Sequence, residues 1–448
     1  MSMSGASPEP LLERWIERQY RDSASAMLRS FSAIDLVKSR PGFGTQVRAA
    51  KGSIIASPVL GAYDPDPDYF FHWFRDSAVV IESLRLLYED GSIGDEAIAH
   101  LRDFAAFNLS LNTLDGRRLV DDKSWRGKAA ADFVKFLRDD EDLAQAHGEA
   151  VVGETRVNPD GTLDISKWAR PQHDGPPLRA LALLGWVSAH RLDDRLAADL
   201  AALITGDLDF TMRHWRTPSY DIWEEERGLH YYTLRVSAAA LEQGAAWLRS
   251  RNEHEFALAC ATESAAIRTL LDGYWLEDAQ HFRSRVLSSG GRSDKELDIA
   301  IILSAIHGSD GAQAHSVHDG RMQSTFAQLE ALFDRLYAIN RGRPAGQGVA
   351  MGRYEGDVYY SGGAYFFSTL GAAEFCFKAA RGSPKAQGWI ERGDAFLQTV
   401  RAYTGAQGEL SEQFDQNSGE QTSAKHLAWS YAALISTVAA RRAALAAR

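Results

Sequence analysis

An all-α fold, with helical hairpins closed into a ring, is what this chain of 448 residues predicts. Three observations lead to it. Apolar residues recur at helical spacing along most of the sequence. No stretch sustains the two-residue alternation of a strand. The connections between helical segments alternate between short and long, as they would if helices came in pairs.

The first helix is predicted from about Pro8 to Leu36. "DSAVVIESLRLLYED" and "DEAIAHLRDFAAFNLSLN" form the next two. "GPPLRALALLGWVSAHRL" opens with Pro176 and Pro177, which suit a first helical turn. "DRLAADLAALITGDLDFTMRHW", "TLRVSAAALEQGAAWLRSR" and "EHEFALACATESAAIRTLLDGYW" follow, then "DKELDIAIILSAIHG" and "STFAQLEALFDRLYAIN". "GAYFFSTLGAAEFCFKAARG", "KAQGWIERGDAFLQTVRAYT" and "SAKHLAWSYAALISTVAARRAAL" complete about a dozen. The stretch "KAAADFVKFLRDDEDLAQAHGEAVV" reads as a polar helical insert, either a lid or a packing element. A solenoid would show repeats resembling one another, and these segments do not. No Ser/Gly linker divides the chain.

Composition narrows the partners. The hydrophobic fraction of 45% supports a large core, and the net charge of -11 comes with no basic stripe. Nucleic acid and anionic membranes are thereby disfavoured, while a neutral polar ligand fits. Cys260 and Cys376 lie in apolar helical runs and read as buried free thiols. The N-terminal stretch lacks a basic-then-apolar leader, and no apolar run is long enough to span a bilayer. The chain as given therefore reads as cytoplasmic; a leader removed before this numbering would leave no trace.

The long links carry the chemistry-bearing residues, as loops usually do. They are "YDPDPDYFFHWFRD", "NPDGTLDISKWARPQHDG", "TPSYDIWEEERGLHYY", "GRYEGDVYYSGG" and "GELSEQFDQNSGEQT". Residues 221–228, "DIWEEERG", set three acids beside Trp223. Runs of acids are ordinarily solvated helix ends, but crowding and an adjacent indole also hold one carboxyl protonated. Glycosidic cleavage needs such a pair: one protonated carboxyl for the leaving oxygen, one ionised carboxyl for water or carbon. "FHWFRD" groups Trp73, Arg75 and Asp76; Arg75 and Asp76 suit sugar hydroxyls, although Asp76 also suits a helix cap. "SKWARPQHDG" sets Trp168 near Arg170, Gln172 and Asp174. "GRYEGDVYYSGG" contributes Arg353, Asp357 and Tyr359, and "SEQFD" contributes Glu412. Aromatic faces with fixed polar groups are what a polyhydroxylated ring requires.

Five segments in order, "YFFHWFRDSAVV", "WARPQHDGPPLRALAL", "YDIWEEERGLHYYTLRVSAAALEQG", "GRYEGDVYYSGGAYFFSTLGAAE" and "SEQFDQNSGEQTSAKHLAWSYAALI", resemble the catalytic domain of the glucoamylase family (glycoside hydrolase family 15). The resemblance covers most of the chain, from about residue 50 to 440. It implies an (α/α)6 barrel and a single catalytic domain over residues 1–448 with no separate starch-binding domain. It implies an exo-acting inverting α-glucosidase releasing β-D-glucose from short α-1,4-glucans. An isomaltose or dextran α-1,6-glucohydrolase or a trehalase of the same fold is the alternative, and a non-catalytic sugar-binding protein a further one. Glu224 corresponds to the general acid and Glu412 to the general base. Glu225 resembles a substrate-binding acid, and Arg75 with Asp76 the pair holding the terminal glucose. Trp73, Trp168, Trp223 and Tyr359 would line the site, Arg353 would bind hydroxyls, and Asp357 would support Arg353. No role transfers to Glu226, which is expected to be a solvated third acid. No metal or organic cofactor is implied. The substrate would be an α-linked gluco-oligosaccharide, the chain a monomer. One departure stands out: where the family commonly reads Asn-Gly-Asn-Pro-Trp, this chain has Ser361, Gly362, Gly363, Ala364 and Tyr365. A smaller aromatic at a pocket wall is expected to alter the site beyond the first glucose.

Overall fold

The computed structural model describes residues 8–61, 67–309 and 314–447. Residues 1–7 of the N-terminal stretch and residues 62–66 of the first long link lie outside them. Among the described residues there are twelve helices of eight residues or more. In chain order they are α1 (Pro8–Leu28), α2 (Phe74–Glu89), α3 (Glu96–Ser110), α4 (Gly175–Ala189), α5 (Asp194–His214) and α6 (Tyr231–Ser250). They continue with α7 (His254–Asp272), α8 (Ala300–His307), α9 (Gly320–Leu336), α10 (Phe366–Ala380), α11 (Ala386–Tyr403) and α12 (Ala428–Ala446).

The even-numbered helices form an inner ring. α2 packs on α4, α4 on α6, α6 on α8, α8 on α10, α10 on α12, and α12 closes back onto α2. The odd-numbered helices lie outside, with α5 on α4, α7 on α6, α11 on α10 and α1 on α12. This is an (α/α)6 barrel. The sequence accounts for the two layers. In α10 every residue but Lys378 is buried, as an inner helix apolar all round requires. In α9 the buried set is a single stripe, Met322, Thr325, Phe326, Leu329, Leu332 and Phe333, facing the ring. Neighbouring inner helices approach closely: a Cβ at Gly371 of α10 would lie 2.5 Å from Leu303 of α8. Cys260 and Cys376 are buried free thiols. Among the described residues no helix is long and apolar enough to cross a membrane.

The short links join an inner helix to the next outer one, and the long links return from an outer helix to the next inner one. All six inner helices therefore begin at the same end of the barrel. Their N-termini carry the positive end of the helix dipole, which favours carboxylates there. The long links add antiparallel ribbons of two to four residues per strand that fix the approach to each N-terminus.

Two expectations are corrected. The first helix ends at Leu28 rather than near Leu36. Ser32 takes a left-handed φ of 48°, and Phe31 pairs with Ile54, so the chain has already turned back. The polar insert is not one helix. It is a run of 3-10 turns with a single short helix, Asp140–Gln145. Arg138 is its anchor: fully buried, it bonds Glu154 at 2.9 and 3.1 Å and Asp142 at 2.7 Å. That pinning makes the insert a fixed wall of the barrel mouth.

One buried ion pair ties three helices together. Arg179 of α4 donates to both carboxylate oxygens of Asp207 in α5, at 2.8 and 2.7 Å, and to Asn108 in α3 at 2.7 Å. Removing one partner leaves a buried charge unpaired, whereas replacing both does not. Arg179→Met should lower the unfolding free energy by about 3–5 kcal/mol in urea titrations. The double change Arg179→Met/Asp207→Leu should recover most of that loss.

Candidate active site

The inner-helix N-termini surround a cavity of about 240 Å³. Trp73 enters it from a two-residue strand, His72–Trp73, whose antiparallel partner is Arg156–Val157. The first turn of α2 adds Arg75 and Asp76. Trp223, Glu224 and Glu225 come from the loop between the paired strands Ser219–Tyr220 and Arg227–His230. Arg353 and Tyr359 arrive from the link before α10, Glu412 from the link before α12, and Trp168 from the insert side. Ten of the eleven expected site residues line this one cavity.

Residues 224–226 are splayed rather than stacked. Glu224 sits at φ 65°, a left-handed conformation that costs a non-glycine residue about 1 kcal/mol or more. Asp221 holds the turn: its carbonyl accepts from Glu224 N at 3.0 Å and its carboxylate from Glu225 N at 2.8 Å. Each acid then reaches a different cation. Glu224 Oε1 accepts from Trp73 Nε1 at 2.8 Å and from Arg75 at 3.1 Å, while its other oxygen accepts from Trp168 Nε1. Glu225 accepts from Arg353 at 3.1 Å, from Lys295 and from the Tyr354 hydroxyl. Glu226 accepts from Arg285 at 2.8 Å and from Ser293 at 2.7 Å. The expected solvated third acid is therefore a structural anchor. Arg285 is buried and also holds Asp221 and Asp298.

Glu412 has a different setting. It precedes the central strand of a ribbon formed by Ala364–Tyr365, Gln413–Phe414 and Gln421–Thr422. Its carboxylate accepts from Tyr69 at 3.3 Å to each oxygen and from the Ser423 hydroxyl. Tyr69 also bonds the Tyr359 hydroxyl at 2.9 Å and packs on Trp73, ring centroids 5.1 Å apart. Burial pushes the Glu412 carboxyl up to about 7, with Ser423, Arg353 and Tyr69 opposing and Asp76 adding to the rise.

Arg75 and Asp76 form the deep end. Arg75 is buried, meets Asp174 at 3.3 Å and Asp76 at 3.7 Å, and keeps a buried Nε without a hydrogen-bond partner. Burial raises Asp76 to about 6, with Arg75 opposing and Glu224 adding. Asp76 is not a cap: the cap position is Trp73, which makes no side-chain cap bond. Phe367 and Trp429 close this end, stacked at 4.3 Å.

Asp357, grouped with the site residues, does not line the cavity; it stands behind Arg353, the residue it was expected to support, and accepts from its Nε at 2.7 Å. One further expectation changes. The altered segment 361–365 does not wall the pocket either. Tyr365 is buried and accepts from Gln413 at 2.7 Å, and Gly362 and Gly363 press against the backbone oxygens of Asp357 and Phe414. Sequence reasoning also missed Tyr69 and Asp298, and it named Asp174 without giving it a role. Tyr69 was within reach, because Tyr69, Phe71 and Trp73 alternate on one face of an extended segment.

A closed ring of helical hairpins, with two separately held carboxyl groups and aromatic faces around a small cavity at its mouth, defines a carbohydrate-processing barrel. The chain belongs to Glycosyl hydrolases family 15, whose profile matches residues 92–391 and 383–439. It is 29% identical over 442 residues to a glucoamylase of Neurospora crassa, covering 89% of this chain and 64% of that protein, so it spans less than two thirds of that relative. It is 26% identical to a probable glucoamylase of Schizosaccharomyces pombe, covering 99% of this chain and 95% of the relative. The solved Saccharomycopsis fibuligera glucoamylase shares the fold, with a TM-score of 0.77 at 22% identity over 98% of this chain and 96% of that one.

The Glu412 environment has a measurable consequence. A carboxyl raised from 4.5 to about 7 keeps its proton in the folded state where the unfolded chain has lost it. That contribution to stability is present below about pH 4.5 and lost as pH rises through about 7. Glu412→Gln removes the ionisation and should be more stable than the parent by up to about 3 kcal/mol near pH 8. Thermal melts near pH 8 and near pH 4 check this; the advantage should vanish at the lower pH.

Proposed function

We propose that this chain is an exo-acting, inverting α-glucosidase that releases β-D-glucose from the non-reducing ends of short α-1,4-glucans, with the barrel alone carrying the activity. The observation that carries the reading is the pair Glu224 and Glu412, which face one small closed-ended cavity yet are held by separate partners. The glucoamylase relatives support the substrate class. A cavity closed behind Arg75 and Asp76 suits a terminal ring, hence exo action. Arg75 and Asp76 offer a donor and an acceptor to its hydroxyls, while Trp73 and Tyr359 offer faces to its C–H surface. Glu225 and Arg353, with Trp168 and Trp223, border the bond to be cut.

In this mechanism Glu224 protonates the glycosidic oxygen as an oxocarbenium-like transition state develops. Glu412 takes a proton from water attacking the opposite face. Inversion needs carboxyl groups about 6.5–9.5 Å apart, leaving room for that water. The reading extends to a monomer and to action in the cytoplasm; two cysteines that are both buried free thiols support the reducing compartment.

Kinetics of two variants on maltose test the proposal. Glu224→Gln and Glu412→Gln should each lower kcat by about 10²–10⁴-fold. Full turnover by either variant would overturn the assignment. The pH profile tests the base separately. Glu412 must be ionised to accept a proton, so kcat/KM should fall as pH drops below about 7. An acidic limb displaced below pH 5 would remove Glu412 from that role.

A further inference from the structure

We infer that the leaving-group side of this site accepts an apolar aglycone, so that α-glucosides of hydrophobic alcohols bind here through their non-sugar part. The inference rests on the function proposed above. A second chamber, about 900 Å³, adjoins the catalytic cavity and shares Tyr69, Trp168 and Tyr359 with it. Trp168 also donates to Glu224, so the chamber opens at the carboxyl assigned to the leaving oxygen.

Aromatic and aliphatic side chains form a fixed apolar part of its wall, beside polar residues that include Gln46, Arg118 and Lys167. The hairpin of strands Val37–Arg40 and Thr45–Arg48 supplies Phe43 and Val47. The short helix Arg117–Asp121 supplies Leu119, and the insert supplies Phe133 and Phe136. Phe43 meets Phe133 edge-on at 5.4 Å, and Phe133 meets Phe136 at 5.9 Å. A Cβ at Gly42 would lie 2.3 Å from the Phe133 ring, so hairpin and insert are pressed together.

Several of the polar groups, Arg40, Asn158 and Asp164 among them, are already engaged with their neighbours. Arg40 donates to Asp68 at 2.6 Å, to Asn158 at 2.9 Å and to the Phe70 carbonyl at 2.9 Å. Asn158 donates in turn to Thr162 and to the Leu163 carbonyl, both at 3.0 Å. Asp164 accepts from Arg156 and Arg170, both at 2.9 Å. Glucose units beyond the second would need fixed partners for several hydroxyls, and leaving them unmatched is costly. An alkyl or aryl group needs none and gains from burial. Nη1 of Arg156 is a buried donor without a hydrogen-bond partner. It belongs to the guanidinium lying 3.6 Å over Trp168, where the first polar atom of an aglycone would pass.

The test is competition by methyl, butyl, hexyl and octyl α-D-glucosides against maltose hydrolysis, with octyl β-D-glucoside as the detergent control. Each buried methylene strengthens binding by about fourfold. The inhibition constant should therefore fall by at least about 100-fold from methyl to octyl. The β-anomer should lack that gain. Phe133→Ala and Phe136→Ser should each cut the octyl-to-methyl ratio by about fivefold or more. Phe136 is 47% exposed, so its replacement leaves the core untouched. An inhibition constant flat along the series, a gain shared by the β-anomer, or a gain surviving both substitutions would overturn the inference. If maltose is not hydrolysed, the proposed function fails. Calorimetric titration with the same glucosides then decides the chamber by itself, by the same chain-length criterion.

Discussion

Three adjacent carboxylates, each carried to its own arginine, are the constraint on which this barrel mouth depends. Side by side on one strand or helix end, residues 224–226 would repel. The left-handed turn at Glu224 sends them apart, to Arg75 at the start of α2, Arg353 before α10 and Arg285 before α8. Two long links and the first turn of α2 are thereby tied to a third link. The backbone strain is held by Asp221, which accepts two amide hydrogens of the turn and faces Arg285 with its other oxygen. Strain of this kind persists only where surrounding contacts over-determine it, and it clusters at functional sites.

The two catalytic candidates are unlike because their partners are unlike. Glu224 has an arginine and two indole donors within hydrogen-bond reach. The side-chain donors to Glu412 are hydroxyls, from Tyr69 and Ser423, in a buried setting. That asymmetry makes the two carboxyl groups lining one cavity chemically distinct. It also sets catalysis against stability. A buried carboxyl without a cation in contact is destabilising once ionised, and the proposed base must be ionised to act.

Much of this was legible in the sequence. The inner helices announce themselves by being apolar all round, as in residues 366–380, and the outer ones by a single stripe, as in residues 320–336. Trp and Arg beside carboxylates marked the long links, and ten of eleven expected residues meet in one cavity. The failures have physical causes. Glu226 looked solvated because nothing local reveals Arg285, 59 residues away, as its partner. The insert looked helical because its composition is helix-compatible, yet the buried Arg138 folds it into turns around Glu154 and Asp142. Tyr365 looked like a pocket wall, but its hydroxyl faces Gln413 within the ribbon. The large chamber beside the site was invisible, because it arises between a hairpin and an insert nearly a hundred residues apart.

The central claim is that Glu224 and Glu412 work on opposite faces of one glycosidic bond, with water between the base and carbon. Proton NMR of the first glucose formed from maltose, recorded before mutarotation, tests it most directly. The account predicts β-glucose as the initial product. Initial α-glucose would contradict it, because retention requires a carboxylate to attack carbon itself rather than to activate water.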